Sequence, residues 1–105
     1  MNNLLEIKKK LTSDWFKFLQ VEIVNQFQQL ENEISGTNKK NRINFIKRKW
    51  RKKNKNEGGG TSYLLSDGNL FDKVGVNQSI VSGQFEKFFR SKILGAEKNG
   101  RYWAS

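Results

Sequence analysis

EGGGTSYLLSDGNLFDKVGVNQSIVSG, residues 57–83, is the stretch that decides the fold. It contains two strand-like runs, Thr61–Ser66 and Asn69–Val76, separated by Asp67-Gly68. Asp-Gly between two such runs predicts a β-hairpin, because a type I′ turn needs positive φ at both central residues. The three glycines at 58–60 accept backbone angles closed to other residues, so we expect a loop or bulge leading into the first strand. No Gly-Lys-Ser/Thr follows them, so they do not form a nucleotide-binding P-loop.

Apolar side chains alternate onto both faces of the predicted hairpin. Tyr63 and Leu65 lie on one face of the first strand, and Leu64 lies on the other. Leu70 and Phe71 likewise fall on opposite faces of the second run. Apolar residues on both faces indicate a sheet that is covered on both sides or lies at an interface.

A long amphipathic helix is predicted before the hairpin, over about residues 4–34. Gly36 is placed to end it in a left-handed cap, and Thr12-Ser13-Asp14 leaves open a break into two helices. We expect its apolar stripe to pack on a sheet, and a partner-binding helix is the alternative. The stripe consists of residues at steps of three and four, namely Leu4, Ile7, Leu11, Trp15, Phe18, Leu19, Ile23, Phe27, Leu30 and Ile34.

Beyond the hairpin, Gln84–Leu94 is predicted to form a short helix that Gly95 stops, and Arg101–Ser105 opens a further strand. Because a globular chain rarely ends on an opening strand that carries a tryptophan, we expect truncation at the C-terminus. The chain is then part of one α+β domain, with an N-terminal helix and an antiparallel hairpin that belongs to a larger sheet flanked by helices. Its four parts are a helix (1–36), a basic connector (37–56), a glycine-rich loop with the hairpin (57–83), and a short helix with the start of a strand (84–105).

Composition excludes several classes of chemistry. The 105 residues contain no cysteine and no histidine, so disulfides, thiolate catalysis, the commonest general base and the commonest metal ligand are all missing. No apolar run approaches the roughly 20 residues that a membrane-spanning helix needs. The N-terminus lacks the apolar segment of a secretory signal, and we expect a cytoplasmic protein.

The net charge of +10 comes from one segment, Lys39–Lys55. Two interpretations compete: a nucleic-acid-binding module in which these cations and Trp50 contact phosphates and bases, or a solvated connector anchored by a few apolar residues. The connector interpretation is preferred, because asparagine and lysine are frequent along the whole chain. The segment contains ten cations and no anion, namely Lys39, Lys40, Arg42, Lys47, Arg48, Lys49, Arg51, Lys52, Lys53 and Lys55.

The last 60 or so residues resemble the signature of the oxygen-dependent coproporphyrinogen III oxidases of haem biosynthesis. That family has a tryptophan, a glycine run ending in a serine, two apolar residues, a turn ending in Asp-Gly or Asn-Gly, an apolar-Phe-Glu-Lys step and Ala-Gly-Val-Asn-x-Ser. Four departures are about two extra residues between Trp50 and the glycines, Glu57 at the family's first glycine, Asp72 in place of glutamate, and Arg48 where an acidic residue is usual. The matching residues are Phe45, Trp50, Gly58-Gly59-Gly60-Thr61-Ser62, Leu64-Leu65, Asp67-Gly68, Leu70-Phe71-Asp72-Lys73, Val74-Gly75-Val76-Asn77, Ser79 and Gly83.

The resemblance implies a broad antiparallel sheet with helices on both faces, assembled as a homodimer. It implies the oxidative decarboxylation of coproporphyrinogen III to protoporphyrinogen IX, with molecular oxygen as co-substrate and no flavin, haem or nicotinamide; a divalent metal is left open. The family's substrate-contacting serine and proton-donor histidine follow the strand that begins at Tyr102, so no catalytic residue is expected in this chain. The implied dimer interface comprises Leu64, Leu65, Ser66, Asp67, Gly68, Asn69, Leu70, Phe71, Asp72 and Lys73.

Two residues remain as candidates for the substrate pocket, Asn77 and Ser79. Polar side chains at a strand end beside a glycine are suitable ligands for a propionate. The alternative, that they satisfy backbone groups at a strand edge, stays open at this point.

Overall fold

The computed structural model describes residues 3–36, 42–54, 57–96 and 99–105. In chain order the elements are α1 (Asn3–Ser35), β1 (Ile46–Arg51), β2 (Gly58–Ser66), β3 (Lys73–Gln84), α2 (Lys87–Arg90) and β4 (Arg101–Ala104). The four strands form one antiparallel sheet in the order β1-β2-β3-β4. The predicted α+β class is confirmed, with α1 packed on the sheet mainly at β3.

Helix α1 runs without a break through Thr12-Ser13-Asp14. The Ser13 hydroxyl donates to the Lys9 carbonyl at 2.8 Å, so it is satisfied inside the helix and does not cap a new one. Gly36 has a φ of 72°, which confirms the predicted left-handed end.

The face that α1 turns to the sheet is not the predicted apolar stripe. Seven residues of that stripe are between 46% and 64% exposed, and the buried residues of the helix are Ser13, Gln20, Val24 and Glu31. The prediction of a stripe packed on the sheet is therefore wrong for most of its length, because polar side chains of α1 bind the sheet's backbone instead. The seven exposed residues are Leu4, Ile7, Leu11, Trp15, Phe18, Leu30 and Ile34.

Two glutamines attach α1 to the rest of the fold. The side-chain amide of Gln20 donates to the carbonyls of Thr61 at 2.8 Å and Val76 at 3.0 Å, one on each of two adjacent strands. Eight residues further along the helix, the Gln28 amide donates to the Ile43 carbonyl at 2.9 Å, and its oxygen accepts from the Phe45 N–H at 3.0 Å. Buried backbone groups need such partners, which explains why polar residues occupy this face.

The β2–β3 hairpin is confirmed, but its two-residue type I′ turn is wrong. Ser66 pairs with Lys73, so the connection is a six-residue loop, 67–72. Asp67 has a φ of 54° whereas Gly68 is not in the positive-φ region, so the type I′ requirement is not met. Leu70 and Phe71, expected in the second strand, lie in this loop. The expected glycine loop is also wrong, because residues 58–60 are the first three residues of β2.

The predicted basic connector contains a strand. Residues 46–51 form β1, which pairs with β2 from Ile46↔Leu64 to Arg51↔Gly59. Just before this strand, the backbone at Ile43 and Phe45 is hydrogen-bonded to the Gln28 side chain of α1. Lys39, Lys40 and Lys55 of the basic segment lie outside the described residues.

The predicted short helix is shorter than expected. β3 continues through Gln84, and α2 covers only Lys87–Arg90 before turns lead to Gly95. The predicted opening strand at Arg101 is confirmed as β4, and it pairs with residues 81–84. Tyr102 stacks on Phe85 with ring centroids 4.5 Å apart.

Very little apolar surface is fully enclosed. Val24 and Leu65 are the buried hydrophobic residues within the parts of the chain that the structure describes. A domain of about 100 residues that folds alone normally buries a much larger core. Much of the apolar surface of the sheet and of α1 is therefore exposed.

Candidate functional site

The register of the strands assigns their side chains to two faces. Leu65, Tyr63 and Thr61 of β2 point to the α1 side, where Leu65 is 0% exposed. The opposite, uncovered face carries the alternate residues of each strand. A cross-strand row on that face joins Arg48 of β1, Ser62 of β2 and Asn77 of β3.

This row, Arg48–Ser62–Asn77, places three hydrogen-bond donors side by side. Directly paired residues have Cβ atoms about 4.5–5.5 Å apart, so one bound group can contact neighbouring members. Arg48 and Asn77 are exposed and Ser62 is half-buried. Within the described residues both ion pairs lie on α1, so no carboxylate neutralises Arg48. The row is suited to an anion such as a carboxylate.

The next row on the same face explains one glycine of the sequence motif. Trp50 pairs with Gly60, which pairs with Ser79. A Cβ on Gly60 would lie 2.8 Å from the Trp50 Nε1 and 2.5 Å from the Gln78 carbonyl oxygen. The indole of Trp50 thus lies across β2, 40% exposed, and forms an aromatic platform beside the donor row.

Both predicted pocket residues, Asn77 and Ser79, border one groove, although the strand register directs their side chains to the uncovered face. The groove has a volume of about 260 Å³, lies between α1 and β3, and is walled on the helix side by Phe16, Leu19 and Ile23. The Gln78 amide donates to the Ser105 hydroxyl at 3.3 Å at the end of this groove. A mostly apolar groove with polar groups at its rim is typical of ligand sites.

A second groove of about 350 Å³ borders the glycine run on the helix side. Lys17 of α1 and Lys49 and Arg51 of β1 contribute cations to its walls. Lys47 also points to this side, with its Nζ 5.8 Å from the centre of the Tyr63 ring. The cations of β1 are therefore divided between the two faces of the sheet, with Arg48 on the uncovered face.

The 67–72 loop lies within the segment predicted to form a dimer interface, and it is anchored to α1. Both carboxyl oxygens of Glu31 accept from the Leu70 N–H, at 2.9 and 3.1 Å, and Glu31 is 0% exposed. Asn69 donates to the Ser35 hydroxyl at 2.8 Å, and Phe71 meets Phe27 edge-to-face at 5.1 Å.

Most of the predicted interface residues reach the surface. The Leu65 side chain is buried inside the chain, while Leu70 is 45% exposed. Ser66, Asp67, Asn69, Asp72 and Lys73 are exposed as well. Their role in dimerisation stays a prediction.

Several contributing residues were missed by the sequence analysis. Arg48 and Ser62 belong to the donor row because β1 pairs with β2. The sequence analysis did not predict this pairing, because it interpreted residues 37–56 as a connector. One feature of the sequence could have indicated Glu31: it lies four residues after Phe27, and so on the same face of the predicted helix.

Charge and metal chemistry are limited in this part of the molecule. A hydrogen bond from Lys10, with the nearby Lys10 and Lys17 charges, lowers the pKa of the exposed Asp14 carboxyl. Among the described residues no cluster of three or more His, Cys, Asp or Glu side chains could hold a metal ion. Nor is any helix in those ranges both long and apolar enough to cross a membrane.

Comparison with known proteins gives a consistent result. Residues 11–104 match the family model described as coproporphyrinogen III oxidase. The chain is 38% identical over 97 residues to the oxygen-dependent coproporphyrinogen-III oxidase of Rickettsia akari, and 37% identical to those of Rickettsia felis, over 97 residues, and Rickettsia prowazekii, over 98.

Each of these alignments covers 92% of this chain and 34% of the relative, so the chain spans about a third of the length of the curated relatives it matches. No solved structure matches. The family model extends over nearly the whole chain, and the chain therefore belongs to the coproporphyrinogen III oxidase family.

Proposed function

We propose that this chain forms the N-terminal third of an oxygen-dependent coproporphyrinogen III oxidase. The observation that carries the proposal is the family match over residues 11–104, together with relatives that bear this activity as their name. The glycine run, the hairpin and the donor row all lie inside the matched range.

In this reaction two propionates of coproporphyrinogen III become vinyl groups. Each propionate loses carbon dioxide, one proton and two electrons as its carbon–carbon double bond forms. The four electrons reduce one molecule of oxygen, with four protons, to two molecules of water. Oxygen is thus the co-substrate that the proposal requires.

The Arg48–Ser62–Asn77 row supports a binding role in this reaction. Coproporphyrinogen III carries four propionate carboxylates on a large apolar ring system. Ser62 and Asn77 supply donors for a carboxylate, and Trp50 supplies an apolar surface for the ring. Arg48 stands where the family usually has an acidic residue, so its guanidinium is a donor particular to this chain. Ser79 lies in the Trp50 row, on the same uncovered face as Arg48, where a second carboxylate contact fits.

The resemblance places the family's proton-donor histidine outside this chain, which contains no histidine, so we expect the chain to bind and position the substrate and not to donate the proton. The catalytic acid comes from the remainder of the domain, and the 105-residue chain alone is inactive. The remaining elements of the proposal are a homodimer formed through residues 64–73 and a cytoplasmic location. Nucleic-acid binding by Lys39–Lys55 is not proposed, because the family match over residues 11–104 includes this segment and accounts for it without a nucleic-acid partner.

The test is complementation. The purified chain is mixed with a polypeptide that carries the part of the Rickettsia akari relative beyond the matched third, and protoporphyrinogen is measured as porphyrin fluorescence after oxidation. We expect no product from either piece alone and turnover from the mixture. Arg48→Ala and Asn77→Ala should lower kcat/KM about tenfold or more, as expected for a lost charged hydrogen bond. Lys53→Ala is the matched control, since Lys53 follows β1 and lies outside the row. A mixture that forms a complex and gives no product would contradict the proposed function.

A further inference from the structure

The groove of about 350 Å³ that borders the glycine run, called the basic groove below, lies on the opposite face of the sheet from the donor row. Its walls carry three cations from two elements, Lys17 of α1 and Lys49 and Arg51 of β1. Among the described residues that line it, none is acidic. The nearest acidic residue in sequence, Glu57, lines a different groove, between α1 and β4. The walls of the basic groove are therefore positively charged.

Strand pairing determines where the two β1 cations lie. Lys49 pairs with Thr61 and Arg51 pairs with Gly59, so both cations are on the α1 side of the sheet. Residues two apart on a strand are separated by about 6.6 Å, so the two side chains start at neighbouring positions of one wall. Lys17 contributes to the groove from the helix. A ligand in the groove would thus meet cations from two sides.

The floor of the basic groove is bare backbone, because the three glycines at 58–60 line it. A Cβ on Gly59 would lie 2.6 Å from the Trp50 carbonyl oxygen, and a Cβ on Gly58 would overlap the Ile80 carbonyl oxygen. The close approach of neighbouring strands therefore excludes side chains here. The space between the cations stays open as a result.

The cations of the basic groove have no ion-pair partner in the part of the chain that the structure describes. Both ion pairs there lie on α1, Lys9 with Glu6 and Lys10 with Asp14. The hydrogen bond from Lys10 and, to a smaller extent, the Lys17 charge lower the pKa of the Asp14 carboxyl, so Lys10 is its main partner. Three unpaired cations around one open floor form a site for an anion.

The chemistry of the walls favours a compact ligand with more than one negative charge. An arginine guanidinium binds phosphoryl oxygens through two parallel hydrogen bonds, and a lysine ammonium binds them as a point charge. Thr61, in the same cross-strand row as Lys49, adds a hydroxyl donor to the lining. A volume of about 350 Å³ is that of a small-molecule site, not of a groove for a nucleic-acid duplex. Two linked phosphoryl groups match both the charge and the spacing of the wall.

We propose that the basic groove binds a small molecule that carries a diphosphate group. Lys49 and Arg51 contact the two phosphoryl groups from the strand, and Lys17 contacts them from α1. The sheet separates this groove from the donor row, so one small molecule cannot occupy both. The inference goes beyond the proposed function and does not depend on it.

The probe is inorganic pyrophosphate, titrated into the 105-residue chain at about 0.15 M salt and followed by calorimetry. We expect saturable binding of one pyrophosphate per chain, with amide NMR shifts at residues 49–51 and 58–61. Inorganic phosphate should bind about tenfold more weakly, because it presents fewer charges to the same three cations.

Two lysines of β1 provide a matched pair of variants. Lys49→Gln removes a cation from the wall and should weaken pyrophosphate binding about tenfold, since a charged hydrogen bond is lost. Lys47→Gln makes the same change two residues away on the same face, but Lys47 lies beside the Tyr63 ring and does not line the groove. Its affinity should match wild type within about twofold. Both lysines are exposed, so both variants should fold.

Four results would overturn the inference. One is the absence of saturable binding at millimolar pyrophosphate. Another is an equal loss of affinity in both lysine variants, which would assign the binding to net charge. The third is a set of amide shifts confined to the donor row. The fourth is displacement of pyrophosphate by duplex DNA at lower concentration, which would make a nucleic acid the ligand. Failure of the proposed function would leave these readouts unchanged, because they are measured without its substrate.

Discussion

The two long edges of the sheet have opposite chemistry. β1, at one end, has the sequence IKRKWR, with four cations in six residues. The β3 edge from Val74 to Ile80 has no charge at all. A neighbouring strand on β1 would bring its own side chains against cations on both faces, whereas a strand on β3 would meet valine, glycine and small polar groups. The comparison shows that the two edges differ in charge, so the β1 edge is the better protected against pairing with another strand.

The anchor of the 67–72 loop gives the largest expected effect on this comparison, because it holds β3 in place. Glu31→Ala removes the buried carboxyl group that accepts from the part-buried Leu70 N–H. We expect a loss of about 3 kcal/mol in the free energy of unfolding, measured by urea denaturation of the chain. Glu33→Ala, at an exposed residue of the same helix, is the control and should change stability little. Equal losses for both variants would contradict the anchoring role.

Two glycines of the uncovered face sharpen the comparison at the level of packing. Gly60→Ala places a methyl group against the Trp50 indole and the Gln78 carbonyl, and should cost about 1–3 kcal/mol by overpacking. Gly75→Ala meets nothing closer than a Leu64 methyl at 4.0 Å and should be close to neutral. Thermal unfolding of both variants followed by circular dichroism checks the difference. A larger loss for Gly75→Ala would show that the indole does not cover Gly60.

Removing charge from β1 should make the two edges alike. Arg48→Thr combined with Lys49→Thr removes one cation from each face of the strand. We expect the variant to self-associate at roughly tenfold lower concentration, equivalent to about 1.4 kcal/mol. Sedimentation velocity measures this.

Lys52→Thr combined with Lys53→Thr makes the same change of net charge outside the strand and serves as the control. Self-association of both double variants to the same extent would assign the effect to net charge, and not to the edge of the sheet.

The smallest expected effect concerns the Lys10–Asp14 pair on α1, far from both edges. Because Lys10 donates to Asp14, the pKa of Asp14 is lower in the folded chain than in the unfolded one. The associated stability is present above the unfolded pKa and is lost as the pH falls through the folded pKa. Both side chains are exposed, so Asp14→Asn should leave the melting temperature at neutral pH unchanged within error. A clear drop that persists in high salt would mean that the helix depends on this pair.

Local patterns predicted the elements better than their contacts. Helix periodicity found α1 to within a residue or two, and alternation found the strands of the hairpin. The predicted turn was wrong because Asp67-Gly68 is a local signal, whereas the loop is held by Glu31, 39 residues before Leu70, and by Phe27, 44 residues before Phe71. A rule based on two adjacent residues cannot predict contacts with residues so distant in the sequence.

The helix face and β1 failed for a related physical reason. Apolar periodicity identifies a stripe but does not say what covers it, and here the glutamines of α1 bind the backbone while the stripe stays exposed. In β1, cations on both faces hide the alternation that normally reveals a strand. Asn77 and Ser79 belong to a strand whose alternation was clear and both border a groove, and their role in substrate binding stays a prediction.

The glutamines of α1 also determine how freely this helix can move. Gln20 and Gln28 are eight residues apart and form hydrogen bonds to the backbone at two separate places. Gln20 contacts Thr61 and Val76, and Gln28 contacts Ile43 and Phe45. Sliding the helix by one turn, about 5.4 Å, would break all four hydrogen bonds. Helix α1 is therefore held at two separate positions along its length, and we expect a rearrangement that admits a ligand to involve the strands and loops more than α1.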